Sequence, residues 1–444
     1  MVIGLNHRTA PLAMRERFWI SENRRYEVLR ELRKAEGIEE VVIFSTCCRT
    51  EFLLWASEPT LAANSLLHFL GTEHGLKLSE WEHFYRLLDE SALSHIFRVT
   101  AGLDSLALGE PHIITQVKDA WNQARTVGAA GRFLNPVLEK ALSLSRQVRE
   151  ETAINELAVS IPSAALDLAQ QIFGSLEGRR VLLLGTGEMC EMAARNMIES
   201  GVGSVIVIDQ SPTRAKEVAQ KLGGVAATLA DRWKCMLRAD IVITATGCPH
   251  VVLTHEEAER IAAERNRVAL VIMDIGMPRD VDPEVRRVDG ILLYDMDGLE
   301  RAVKSDPAER TAVAAEAERI VAAEAQAFRS RLQAESVVPT IVALRQRLDQ
   351  ICRQELESFN EERGPFTREQ DQSLHAITSQ VIQKIASSLA RELKELPEKE
   401  EREQLTDAVR RLFHLEPPQG ALAGTRLEKR NNEGRKEHAV AVNY

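Results

Sequence analysis

Residues 45–51 read STCCRTE and lie between two apolar runs, VVIF before them and FLLW after. One short connection therefore holds two cysteines, an arginine and a glutamate. A cysteine attacks as its thiolate, and a guanidinium two residues away, that of Arg49, favours this form of Cys47. The same residues also fit a structural cysteine buried in a hairpin, and the heptapeptide alone leaves both readings open. Cys48 admits three roles: a packed thiol, a resolving partner for Cys47, or a competing nucleophile. Adjacent cysteines bridge only under strain, which favours the packed thiol.

The flanking runs are β-branched or aromatic and only a few residues long, so each reads as a short strand. Residues 2–5 form a further strand that Asn6 and His7 end, and residues 26–35 have helical spacing. In SALSHIFRV, Leu93, Ile96, Phe97 and Val99 mark the apolar face of a helix that carries His95, either as a packed or capping group or as a catalytic one. The stretch GLDSLALGEPH then interrupts the helical pattern with two glycines and a proline, leaving Asp104, Ser105 and Glu110 in a loop. Polar loop residues on a rigid scaffold are where binding groups collect, although a plain interhelical connection reads the same way. Strands and helices mixed in this order predict an α+β domain over residues 1–150.

Residues 160–297 carry a different pattern. RVLLLGTGEMCEMAARNMIESGVGSVIVIDQ reads strand, glycine turn, helix, strand. An unbroken apolar run at 181–184 suits a buried parallel strand. Gly185 and Gly187 let the backbone approach a pyrophosphate at a helix N-terminus, so Gly185, Thr186, Gly187, Glu188, Met189 and Cys190 form the expected nucleotide-facing segment. Cys190 stands where the third glycine of G-x-G-x-x-G belongs; that glycine serves helix–strand packing, and a small cysteine is compatible with it. ADIVITATG, VALVIMDIGMPRDVD and GILLYDMDGL continue the βα pattern.

From Asp306 the composition turns to Ala, Glu, Arg and Leu. A long helix begins near Asp306, with Val313, Ala317, Ile320, Ala327 and Phe328 along one stripe and Glu324 interrupting it. Pro339 breaks that helix or opens a new one, after which Ile341, Leu344, Leu348 and Ile351 repeat as a helix–helix seam does. Further helices are expected near 367–396 and 398–415, so residues 298–416 form an all-helical domain that either pairs with another subunit or closes its own bundle. The tail, 417–444, has little apolar periodicity and is expected to be disordered.

Composition bounds the function. The 444 residues suffice for about three domains, and the net charge of −10 argues against non-specific nucleic-acid binding. Six cysteines without C-x-x-C pairs or metal-ligand spacing predict free thiols, a reducing compartment and no metal site. No apolar run approaches the ~20 residues of a membrane span. A cytoplasmic location is expected.

GLNHRTAP, STCCRTE, SHIFRVTAGLDSLALGEPHIITQVK and ETAINELAVSIPSAA occur in the order seen in glutamyl-tRNA reductases. The resemblance runs from Ile3 to about Leu415. It implies a multidomain α/β chain: an N-terminal α+β catalytic domain, a Rossmann-like nucleotide domain, and a helical dimerisation domain reached through a long helix. It places the nucleophile on Cys47, an activity-critical histidine on His95, and substrate contacts on Thr46, Arg49, Ser105, Glu110 and Gln116, with Cys48, Pro111 and His112 beside them. It implies that glutamyl-tRNA is reduced to glutamate-1-semialdehyde through a thioester, that NADPH is the donor, and that the enzyme is a homodimer. It also leaves room for channelling to the next enzyme, a semialdehyde aminomutase.

The sequence departs from the family pattern at four places. Cys48 replaces an asparagine, His112 a glutamine and Cys190 a glycine, and Asp209-Gln210-Ser211 stand where the family has Asn-Arg-Thr. A carboxylate at Asp209 can bond a free ribose 2′-hydroxyl and repels a 2′-phosphate unless Arg214 compensates, so NADH use is expected alongside NADPH. Two other readings stay open on sequence alone: a non-catalytic paralogue that binds tRNA or a pathway partner, and a reductase for another thioester or aldehyde.

Overall fold

The computed structural model describes residues 1–105, 108–155, 160–302, 307–396 and 399–415; the expected tail at 417–444 lies outside them. The chain divides into two compact units, Met1–Ala325 and a second from Gln326 onward.

In the first unit the apolar runs around the cysteines pair with each other. Strands β1 (Val2–Asn6), β2 (Glu40–Ser45), β3 (Arg49–Trp55) and β4 (Tyr85–Leu87) form an antiparallel sheet in the order β2-β3-β1-β4. The β2–β3 hairpin closes with Ser45 opposite Thr50 and with the Thr46 amide donating to the Arg49 carbonyl at 2.8 Å. Cys47 and Cys48 therefore occupy the tip of a tight turn. Gly4 lies opposite Glu51, where a Cβ would meet the Glu51 side chain at 2.7 Å, so this glycine makes room for a carboxylate over the sheet.

Helices pack on the sheet. The helix Asp89–Ala101 carries His95 and ends at Gly102, whose φ of +81° suits glycine; the Leu103 amide returns to the Arg98 carbonyl at 2.9 Å. Residues 102–105 and 108–111 leave the helical path, as the glycine and proline spacing predicts, and the next helix is His112–Thr126. Glu40 reaches from β2 to the start of the helix Leu134–Glu151. Its buried carboxylate accepts from the amides of Gly131 (2.9 Å), Phe133 (3.0 Å) and Leu134 (2.8 Å).

The second sheet is wholly parallel: β5 (Arg180–Leu184), β6 (Ser204–Ile208), β7 (Val225–Ala227), β8 (Ile241–Thr244), β9 (Leu270–Asp274) and β10 (Ile291–Asp295), in the order β10-β9-β8-β5-β6-β7. This is the doubly wound Rossmann order, whose crevice opens between β5 and β8 at the carboxyl ends of the strands. Strand β5 feeds two cores by alternation. Val181 and Leu183 pack on one face with the helices Ile161–Phe173 and Glu188–Glu199; Leu182 and Leu184 pack on the other with the helix His255–Glu264.

The helix Pro307–Ser336 spans the division between the two units. Its buried residues are Ala317, Val321, Ala325 and Phe328, so the apolar stripe is rotated from the expected one: Ala327 is exposed and Ile320 only half-buried. The reason lies at the edge of the stripe, where Glu324 pairs with Lys140 at 2.6 Å and Glu318 with Arg98 at 2.9 Å. In the second unit Pro339 sits in the first turn of the helix Val338–Arg363, as expected, and the helices Arg368–Glu395 and Lys399–Leu412 follow. Of the expected seam, Leu344 is buried and Ile351 exposed. Among the described residues no helix is long and apolar enough to cross a membrane.

Replacing Glu40 with alanine strips a charged cap from three backbone amides, one buried and two part-buried. We expect a loss of about 2–3 kcal/mol in the first unfolding transition, read by urea denaturation, with the native fold retained.

Candidate active site

The turn at 46–49 is pinned on every side. The Ser45 carbonyl accepts from Arg25 Nη2 (3.0 Å), the Cys47 carbonyl from Arg15 Nη1 (2.9 Å) and the Cys48 carbonyl from the His7 amide (2.9 Å). The Cys48 amide donates to Thr46 Oγ1 at 3.2 Å. Arg15 is fully buried, and its other terminal nitrogen pairs with Asp297, at the start of the helix Met296–Ala302 in the nucleotide-binding region. The neighbouring Glu16 takes the Arg279 amide (2.7 Å), Nε (2.8 Å) and Nη2 (2.6 Å). One short helix, Leu12–Phe18, thus fastens the cysteine turn to the parallel-sheet region.

Cys48 is buried in the same apolar cluster as Ile161, Cys190, Ile275 and Met296, and Cys47 is half-buried against it. The two sulfurs lie 3.5 Å apart within hydrogen-bond reach. The hydrogen bond to Cys47, together with burial, pushes the Cys48 thiol well above its usual range, so Cys48 keeps its proton.

Arg49 is engaged by two carboxylates. Its buried guanidinium lies against Glu51 (2.5 Å) and Asp104 (3.0 Å) and donates to the Asp104 carbonyl, while Arg8 reaches Asp104 from outside at 3.0 Å. The expectation that Arg49 acts on the Cys47 thiol is corrected here: its charge is committed to two carboxylates. Glu51 also accepts from the Tyr85 hydroxyl at 2.6 Å, and His95 Nε2 lies 3.2 Å from Glu51 Oε1 without hydrogen-bond geometry. Burial pushes the Glu51 carboxyl up, but Arg49, His95 and Tyr85 outweigh it and hold the group at about 2. Carboxylate and imidazole atoms of Glu51, His95 and Asp104 fall within 4.8 Å of one another, and the cation among them is Arg49.

The remaining substrate candidates surround the turn. Ser105 is buried, and its hydroxyl has no partner among the described residues. Burial raises Glu110 above the ordinary carboxylate range. Pro111 is exposed, and His112, half-buried, opens its helix. One turn later Gln116 lines a cavity of about 220 Å³ together with Thr46, Phe44, Arg25 and Trp19. The structure brings Thr46 to Gln116, Cys47 to Cys48, and Arg49 to His95 by way of Glu51. Sequence reasoning passed over Glu51, Tyr85, Arg15 and Asn6, whose side-chain amide donates to Asp104 at 3.1 Å. Glu51 was within reach, since residues two apart on a strand share a face and Glu51 follows Arg49 at that spacing.

At the nucleotide end, Gly185 has φ +104°, and a Cβ there would meet the Ala245 carbonyl oxygen at 2.2 Å. Gly187 caps the helix Glu188–Glu199, whose first turn holds Glu188, Met189 and Cys190; Cys190 is fully buried, as a packing residue should be. Asp209 accepts from the Thr186 hydroxyl (2.7 Å) and the Ser211 amide (2.8 Å) at the carboxyl end of β6. A cavity of about 510 Å³ opens there, lined by Gly185, Asp209, Ser211, Arg214, Thr246 and Cys248 among others. A glycine turn, a helix N-terminus and polar groups at the strand end fit a dinucleotide.

A thiol-bearing turn clamped to a dinucleotide fold defines a nicotinamide-nucleotide-dependent oxidoreductase of modular build. Comparison with known proteins agrees. Residues 3–152 match the glutamyl-tRNA reductase N-terminal domain, 167–302 the shikimate/quinate 5-dehydrogenase family, and 316–415 the glutamyl-tRNA reductase dimerisation domain. The glutamyl-tRNA reductase of Desulforudis audaxviator is 39% identical over 95% of both chains. Glutamyl-tRNA reductase 2 of Koribacter versatilis is 37% identical over 93% of this chain and 94% of its own. The solved glutamyl-tRNA reductase of Methanopyrus kandleri, 27% identical, superposes with a TM-score of 0.51 over 93% of this chain and 98% of its own. The chain belongs to the glutamyl-tRNA reductase family.

The Glu51 shift has a consequence for stability. A carboxyl held at about 2 when folded, against 4.5 ordinarily, contributes roughly 3 kcal/mol above pH 4.5. That contribution fades as pH falls from 4.5 through about 2. Glu51→Gln should therefore be less stable at neutral pH and should lose this part of the acid slope, as followed by thermal unfolding across that window.

Proposed function

We propose that Cys47 is the nucleophile in reduction of glutamyl-tRNA to glutamate-1-semialdehyde, the first step of tetrapyrrole biosynthesis. The observation that carries this reading is the position of its sulfur: half-buried rather than sealed, on a turn that Arg15 ties to the nucleotide-binding region. The sulfur attacks the ester carbonyl that joins glutamate to the tRNA terminus, a thioester forms, and the tRNA hydroxyl leaves with a proton. Sulfur donates poorly into the carbonyl, so the thioester is the better hydride acceptor. The Gly185–Gly187 turn would hold a nicotinamide nucleotide, which would supply that hydride; the carbon–sulfur bond then breaks to give the aldehyde and return the Cys47 thiolate.

We assign His95 to proton transfer with the leaving oxygen, oriented by Glu51 and Tyr85. Ser105, with its unpartnered buried hydroxyl, and Glu110, biased by burial toward its protonated form, supply hydrogen bonds to the glutamyl group. Thr46 and Gln116 bound it from the adjoining cavity. Arg49 serves chiefly as the cation that orders Glu51 and Asp104, with its remaining N–H groups available to a substrate carboxylate.

The cofactor reading rests on Asp209, whose carboxylate is held where a ribose 2′-hydroxyl would arrive, and on Arg214, which lines the same cavity. The enzyme accepts both NADPH and NADH on this reading. Functional domains are assigned to 1–150, 160–297 and 298–416. The homodimer is supported by exposed apolar residues at four-residue spacing on the helix Arg368–Glu395, namely Ile377, Val381 and Ile385.

Cys47→Ser should abolish both a trapped glutamyl-enzyme and semialdehyde formation, with a loss of at least roughly a thousandfold in turnover. Retained turnover would defeat the assignment. The kcat/KM values for NADPH and NADH should agree within about tenfold, or ~1.4 kcal/mol, with Arg214→Ala penalising NADPH the more. A strong NADPH preference in steady-state assays would overturn the reading of Asp209.

A further inference from the structure

We propose that Cys47 and Cys48 together form a chelating dithiol site for trivalent arsenicals, which bind across both sulfurs and block the nucleophile. The chemical class follows from geometry. The sulfurs sit 3.5 Å apart on consecutive residues of a turn whose carbonyls are fixed by Arg25, Arg15 and His7. Consecutive Cα atoms are only about 3.8 Å apart, below the roughly 4.4 Å at which ordinary disulfides begin. A direct S–S bond therefore strains this turn. A larger bridging atom leaves the two sulfurs close to their present separation.

The two thiols also divide the work. Cys47 is half-buried and open to attack, whereas Cys48 is buried behind it and protonated, ready to close the ring. Cys190, Cys235 and Cys248 are buried singly, and Cys352 is half-buried on the helix Val338–Arg363. Among the described residues no second pair of sulfurs in contact is present.

With phenylarsine oxide the step balances without any redox change. The Cys47 thiol adds across the arsenic–oxygen bond, and its proton goes to that oxygen. The Cys48 thiol then displaces the hydroxyl as water, leaving arsenic in the same oxidation state with two As–S bonds. The second bond is intramolecular, and ring closure of this kind is worth roughly a hundredfold or more in retention.

The test uses the full-length protein and phenylarsine oxide, with intact mass and peptide mapping as the first readout. One adduct per chain is expected, carrying the mass of the reagent less one water, mapping to residues 47–48, resistant to excess 2-mercaptoethanol and removed by 2,3-dimercaptopropanol. Cys48→Asn and Cys48→Ser should each lower retention against the monothiol by roughly a hundredfold. Their circular dichroism and thermal unfolding should match the wild type, which reports that the fold is kept, and their Cys47 should still be alkylated by iodoacetamide, which reports that its thiol remains reactive. A wild-type adduct that the monothiol removes, or one that maps elsewhere, overturns the site; so does an unchanged adduct in both Cys48 variants. Inhibition of turnover is the second readout and rests on the nucleophile assignment above. A chelate at 47–48 that left semialdehyde formation intact would sink that assignment and leave the dithiol site standing.

Discussion

The buried guanidinium of Arg15 is the constraint on which the site depends. It donates to the carbonyl of Cys47 and pairs with Asp297, a residue 282 positions away in sequence. A buried cation has a large desolvation penalty unless its hydrogen bonds are met, so the turn and the helix Met296–Ala302 are held to it together. The adjoining Glu16–Arg279 contact, a two-pronged carboxylate–guanidinium pair with a backbone amide added, fixes the direction of approach. Chemistry that passes a hydride from a nucleotide to a thioester needs its two halves aligned, and these contacts supply the alignment from a seven-residue helix.

Beneath the turn a second charged group serves a different end. Arg49, Glu51 and Asp104 are all buried, with Arg8 completing the pairing from the surface. Removing Arg49 would leave the Glu51 carboxylate without its cation in a low-dielectric setting, which ties the cluster to that guanidinium. Gly4 is part of the same device, because only a residue without a side chain lets Glu51 lie across β1. His95 and Tyr85 are both positioned against the Glu51 carboxylate. The cluster thus positions the proposed proton-transfer group.

Much of this was legible in the sequence where the signal is local. The runs VVIF and FLLW pair as a hairpin around the cysteines, the glycine turn after Leu184 opens a doubly wound sheet, and Pro339 starts a helix, each for a reason contained in a few residues. Strands β4 and β7 are three residues each, too short for alternation to register. The stripe on the helix Pro307–Ser336 was misplaced because alanine packs on either side of a helix, and the choice was made by Lys140 and Arg98 from elsewhere in the chain. Arg15 and Asp297 carry no local signal, for the contact exists only once both sheets are built. Arg49 was legible as important, but its partner was misjudged: proximity in sequence pointed to the sulfur, whereas strand alternation sends the side chain to the same face as Glu51.

Two departures from the family pattern meet in one place. Cys48 and Cys190 belong to a single apolar cluster with Ile161, Ile275 and Met296. An asparagine at 48 would bring an amide with two donors and an acceptor into those surroundings and would need partners for them. A thiol is nearly apolar, and its weak donor is satisfied by the neighbouring sulfur. At 190 the argument runs the other way, since a thiol fills volume that a glycine would leave to its neighbours. The buried thiols at 48 and 190 therefore fill the seam between cysteine turn and nucleotide helix with nearly apolar side chains. On the proposed route through Cys47, a seam filled with apolar side chains limits the access of water to the sulfur-bound intermediate, so these two cysteines are compatible with that chemistry.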